Sequence, residues 1–70
     1  MAIDVTVQRL EMGDVLLIDF LEDERPVEAT VVRDIDRTDT TVRATLRVAG
    51  REDFVREWPV GELVTVVRGP

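Results

Sequence analysis

Thr41-Val42-Arg43-Ala44-Thr45-Leu46-Arg47-Val48 is the stretch on which the fold turns. Val42, Ala44, Leu46 and Val48 point one way; Thr41, Arg43, Thr45 and Arg47 point the other. Successive side chains on a strand leave opposite faces, so this alternation predicts a half-buried β-strand. The residues before it, Val27 to Asp36, alternate through Val27, Ala29 and Val31. A Val31-Val32 doublet and Arg33 then break the period, and Ile35 restores it. A β-bulge, or an arginine at a rim, accounts for such a break. With Arg37 to Thr40 as the hairpin loop, Val31 faces Leu46, Ala29 faces Val48, Ile35 faces Val42, Asp34 faces Arg43 and Thr30 faces Arg47. The apolar sets then share one face and an opposite-charge pair falls on the other, which is the agreement that specifies register.

Working outward, Val15 to Phe20, Phe54 to Trp58 and Leu63 to Arg68 read as further strands, and Ile3, Val5 and Val7 as an N-terminal edge strand. Met12-Gly13-Asp14, Glu22-Asp23-Glu24-Arg25-Pro26, Ala49-Gly50-Arg51 and Pro59-Val60-Gly61 supply the turns and loops between them. Valine and threonine dominate the chain, and both lose χ1 freedom in a helix. The one helical candidate is a 3₁₀ turn over Pro59 to Glu62, before the last strand. The expectation is a single all-β domain spanning 1–70: five to six short antiparallel strands with that 3₁₀ turn.

Composition narrows the chemistry. The chain has 70 residues, with 15 Asp plus Glu against 9 Lys plus Arg and a net charge of -6. It has no Cys, His, Lys, Ser, Asn or Tyr, so every cation is arginine. Disulfides, Cys/His zinc sites and triads built on Ser, Cys or His are excluded. A domain of this size buries only ~60% of the surface its unfolded chain exposes. It must fold on close packing alone, bind a partner or oligomerise. The longest apolar run, Val15 to Ile18, is far short of the ~20 residues of a membrane span. The N-terminus lacks the basic and apolar regions of a signal peptide, which points to a cytoplasmic protein. The acidity has three readings: solubility, halophilic salt adaptation (acidic, arginine without lysine) and docking on a basic partner.

No catalytic, cofactor or metal assignment follows. The carboxylates Asp34/Asp36 and Glu22/Asp23/Glu24 lie at or beside loops where water keeps them ionised. Asp34-x-Asp36-x-x-Asp39 lacks the glycine and the distal glutamate of a calcium loop. The candidate binding residues are Trp58, Arg33, Arg43 and Arg47. Trp58 ends a strand and is either a core plug or a contact residue at an interface. The arginines line one strand face and offer cations to a phosphate backbone.

The strand count, the strand lengths and the opening Gly13-Asp14-Val15-Leu16-Leu17-Ile18 resemble the SH3-like small barrel of Tudor and KOW domains. That resemblance implies a barrel and a binding module. A narrower resemblance covers residues 13–32: Gly13 to Phe20, followed by Arg25-Pro26-Val27, is similar to the start of MazF/PemK-type toxin endoribonucleases. It would place a functional arginine at Arg25 and a catalytic hydroxyl near Thr40, Thr41 or Thr45. The loop between the segments is shorter than in that family, and the chain is acidic and too short for its helices. Two functions are therefore carried forward. One is a non-enzymatic module that binds a protein partner or self-associates; the other is a nucleic-acid-associated barrel using the arginine face.

Overall fold

The computed structural model describes residues 2–20 and 24–70. Six strands form one antiparallel sheet: β1 (Ile3–Thr6), β2 (Val15–Ile18), β3 (Val27–Arg37), β4 (Thr41–Arg47), β5 (Phe54–Pro59) and β6 (Leu63–Arg68). Their order across the sheet is β1-β6-β2-β3-β4-β5. The chain is thus all-β, as its alternation implies. The sheet is not closed: β1 and β5 each have a strand neighbour on one side only.

The inner face curls around one apolar cluster. Leu16 and Ile18 of β2, Ala29 and Val31 of β3, Val42, Ala44 and Leu46 of β4, Trp58 of β5 and Val64 and Val66 of β6 all contribute. Val7, Leu10 and Val48 complete it from the connections. Phe20 and Phe54 pack against the cluster and meet edge to face, with ring centroids 5.6 Å apart. Arg51 lies over the Phe20 ring at 4.3 Å, within range of a cation–π contact.

The expected register of the central hairpin holds in one half and fails in the other. Thr30 pairs with Arg47 and Val31 with Leu46. Beyond them the register shifts twice, and Arg33 pairs with Thr45, Asp36 with Arg43 and Arg37 with Val42. The broken period at Val31 to Arg33 therefore marks a real bulge, but β3 absorbs two extra residues rather than one. Asp34 takes a left-handed conformation there, with φ 61, a region that aspartate tolerates better than most side chains. The pairings Asp34–Arg43 and Ile35–Val42 are corrected accordingly. The shift also brings Arg37 onto the same face as the buried Val42.

The 3₁₀ turn is displaced as well. It spans Val7–Arg9, directly after β1. Pro59 to Glu62 instead forms a hydrogen-bonded β-turn, with Glu62 N donating to Pro59 O at 3.1 Å. Gly61 has φ 94 in this turn, whereas a 3₁₀ turn needs φ near −60°. The two segments meet nonetheless. Gly61 N donates to Gln8 Oε1 at 2.9 Å, and Val7 N donates to Glu62 O at 2.9 Å. Arg37 finishes the junction: its guanidinium donates to the Gln8 carbonyl at 3.3 Å and to the Leu10 carbonyl. These bonds supply donors to carbonyl oxygens that a short helical turn leaves unpaired at its end.

Glu22 and Asp23 of the expected charged loop lie outside the described residues. Among the described residues no helix is long and apolar enough to cross a membrane.

Candidate functional site

The outer face of β3, β4 and β5 carries the three candidate arginines. Each has an acidic partner. Arg33 reaches Asp53 at 3.0 Å and Asp34 at 3.7 Å, and Arg43 reaches Asp36 at 3.3 Å. Arg47 binds both carboxylate oxygens of Asp53, at 2.9 and 3.0 Å. Glu28 of β3 pairs with Arg68 at 2.8 Å. Asp53 is thus clamped between two guanidinium groups. The hydrogen bond from Arg47, joined by that from Arg33 and by the charge of both, holds its carboxyl below the ordinary 3.8. The same hydrogen bond and charge raise Arg47 above its usual value. Asp53 was not among the residues singled out in the sequence. It follows Glu52 in a short acidic connection, and only the β4–β5 pairing brings it under Arg47.

Trp58 lies opposite Val42 on the core face of β5 and is 3% exposed. It is a core side chain, which removes it from the candidate contact surface. Arg25 lies just before β3, while Thr40 and Thr41 lie just past its far end, separated by the strand's 11 residues. Thr45 is mid-strand in β4. The structure does not gather these residues into one site. Among the described residues no group of three or more acidic side chains is placed to hold a metal ion.

A second surface was not anticipated. Ile3 pairs with Val66 and Val5 with Val64, and both partners belong to the core. Ile3 and Val5 therefore lie on the core face of the sheet. Because β1 is an edge, that face overhangs the core without a further strand to cover it, and Ile3 remains 54% exposed. The result is a hollow of about 370 Å³ lined by the apolar Ile3, Val5, Val66 and Pro70 together with Arg9, Glu11 and Asp14. Pro70 reaches this position by packing on Gly13. A Cβ added at Gly13 would sit 2.7 Å from the Pro70 Cβ, and φ at Gly13 is 94. The Gly13-Asp14 turn is fastened in turn by Glu11 N donating to Asp14 Oδ2 at 2.9 Å and Gly13 N donating to Val31 O at 2.8 Å.

The two sheet edges differ. β5 carries two features that resist a further strand. Arg56 pairs with the buried Ala44 and so lies on the core side, and Pro59 ends the strand without an N–H. β1, Ile3-Asp4-Val5-Thr6, carries neither. No family model matches the chain, and no curated protein or solved structure matches it.

Proposed function

We propose that this protein is a non-enzymatic interaction module that binds an extended segment of a protein partner along the free edge of β1. The observation that carries the reading is the uncovered hollow beside that edge. A strand added to β1 would satisfy main-chain groups through the ladder, and alternate side chains would enter the hollow. That combination of main-chain affinity and side-chain selectivity is how sheet edges bind peptides. The apolar lining sets the preference: an aliphatic side chain opposite Ile3 or Val5. A second copy of the chain is the competing occupant. An antiparallel pairing centred on Asp4 would set the two Asp4 carboxylates face to face, which disfavours that register.

The nucleic-acid reading lacks its premise, because Arg33, Arg43 and Arg47 are all engaged by carboxylates and the chain is acidic overall. The SH3-like architecture belongs to the same proposal. β2 to β5 would form its meander, β6 would return beside β2, and β1 would be an addition. A cytoplasmic setting in a salt-adapted cell fits the arginine-only, acid-rich composition.

Selection of a random peptide library on the wild-type protein and on Ile3→Lys tests the function. Ile3→Lys places a charge at the hollow and a gatekeeper on the edge. The proposal expects peptides with alternating aliphatic residues that bind wild type and not the variant. Peptides that bind both equally would contradict it. Light scattering across concentration separates the second occupant: a dimer abolished by Ile3→Lys would assign the edge to self-association.

A further inference from the structure

The double bulge in β3 opens a groove on the outer face of the sheet, far from β1 in the strand order. It measures about 490 Å³ and is lined by Asp34, Ile35, Asp36, Arg43, Thr45 and Val55. Its walls are aliphatic: Ile35 is half-buried against the core, and Val55 is 61% exposed. Thr45 is 6% exposed, yet no hydrogen bond to its hydroxyl is formed by the described residues. No side-chain oxygen sealed from solvent lacks a partner among the described residues, so this hydroxyl keeps an opening, and the groove is the space it borders. At the rim, Asp36 is taken by Arg43 at 3.3 Å. Asp34 is not held in this way. Its contact is Arg33 at 3.7 Å, and Arg33 has a closer carboxylate in Asp53 at 3.0 Å.

We propose that this groove binds a lysine side chain presented by a partner polypeptide. The apolar walls suit a four-carbon stem. The free hydroxyl of Thr45 and the carboxylate of Asp34 suit a compact ammonium with three donors. A metal ion fits poorly, since a hard cation needs several oxygen ligands, and of the groove's two carboxylates Asp36 is hydrogen-bonded to Arg43 and Asp34 lies 3.7 Å from Arg33 between aliphatic walls. Arginine fits less well than lysine, because its planar fork seeks two oxygens of one carboxylate, and Asp36 already serves Arg43. The chain contains no lysine of its own. A second copy therefore cannot supply the group, and the occupant is a different molecule. The chain's net charge of -6 complements a lysine-bearing partner.

The test is an NMR titration of the full chain with a blocked Gly-Lys-Gly tripeptide, its norleucine analogue and n-butylamine. The expected result is saturable shifts at Ile35, Thr45 and Val55 with the lysine peptide and none with norleucine. Binding should weaken about tenfold in Asp34→Asn and in Thr45→Val, the order of one charge-assisted hydrogen bond. Asparagine tolerates the left-handed backbone, so Asp34→Asn retains the bulge, and unshifted resonances in β1 and β6, away from both substitutions, confirm the fold of both variants. Binding should be unchanged in Ile3→Glu, which disturbs the β1 edge without adding a lysine to the chain and so separates the two sites. Absence of saturable shifts with the lysine peptide would overturn the proposal. So would equal binding of the norleucine peptide, or butylamine binding as tightly as the lysine peptide, which would make the ligand a free amine.

Discussion

Trp58 is the largest side chain in the core, and it is the one buried side chain that β5 contributes. β5 contributes Phe54 only partly and sets Arg56 on the same side, so Trp58 does most to fasten the edge strand to the cluster. Truncating it to alanine should cost ~3–5 kcal/mol, the range for large aromatic residues in cores. Chemical denaturation checks this, and a change within about 0.5 kcal/mol would place the ring at the surface. Asp53 acts through charge rather than volume. Its folded pKa is depressed by Arg47 and Arg33. The stability it contributes is therefore present above the unfolded value of about 3.8 and is lost as pH falls through the folded value. Denaturation from about pH 5 down to about pH 2 should show a steeper loss for wild type than for Asp53→Asn. Parallel curves would mean that the clamp does not survive in solution. Neither Asp53 nor Arg37 was legible in the sequence as a structural residue. Asp53 lies in the β4–β5 connection and Arg37 at the end of β3, and their roles exist only once the chain folds each onto its partners, Arg47 and Arg33 for Asp53 and the Gln8 and Leu10 carbonyls for Arg37.

At the scale of elements, β4 was legible because it alternates without interruption, and β6 because it is short and rich in valine and threonine between turn residues. β3 was legible only to Val31. A bulge changes which face a side chain takes without changing the composition of the strand, and the doublet Val31-Val32 reveals that a bulge exists but not how many residues it absorbs. Two were absorbed, and this turned Arg37 inward and opened the groove over Thr45. The same geometry revises the expectation at Thr45, which lies on the outer face but is almost fully covered. Leu46→Lys should abolish folding, because it buries an unpaired charge in the core. Thr45→Lys should fold, because its stem can follow the groove to the rim and leave the ammonium beside Asp34 in water. Circular dichroism and thermal melts of the two variants check the contrast, and equal damage would show that Thr45 faces the core. The 3₁₀ turn was misplaced because Pro59 suggested a helical start, while Gly61 two residues later imposes a positive φ.

For the whole molecule, charge imbalance is the dominant long-range term. Four acidic side chains on the described surface, Asp34, Asp36, Asp53 and Glu28, have arginine partners within 4 Å, yet the chain carries 15 acids against 9 arginines. At 0.01 M salt the Debye length is ~30 Å, comparable to the molecule's extents of 32 × 26 × 24 Å. The excess acids then repel across the entire surface. At 1 M the length is ~3 Å, and only contact pairs remain. Exposed pairs are worth ~0.2–1 kcal/mol each, so screening them removes little. Melting temperature should rise with KCl from millimolar to molar. A flat or falling curve would reject salt adaptation and leave the acidity to partner binding.

The fold places an accessible apolar hollow beside the one sheet edge that carries neither a proline nor a core-facing charge, and the proposed function rests on that edge. Amide hydrogen exchange, measured residue by residue with and without a library-selected peptide, addresses it directly. The account predicts that amides of Ile3 to Thr6 gain protection when the peptide binds, while those at the β5 edge, Phe54 to Trp58, do not change. Protection that appears along β5 and leaves β1 exchanging as before would contradict it.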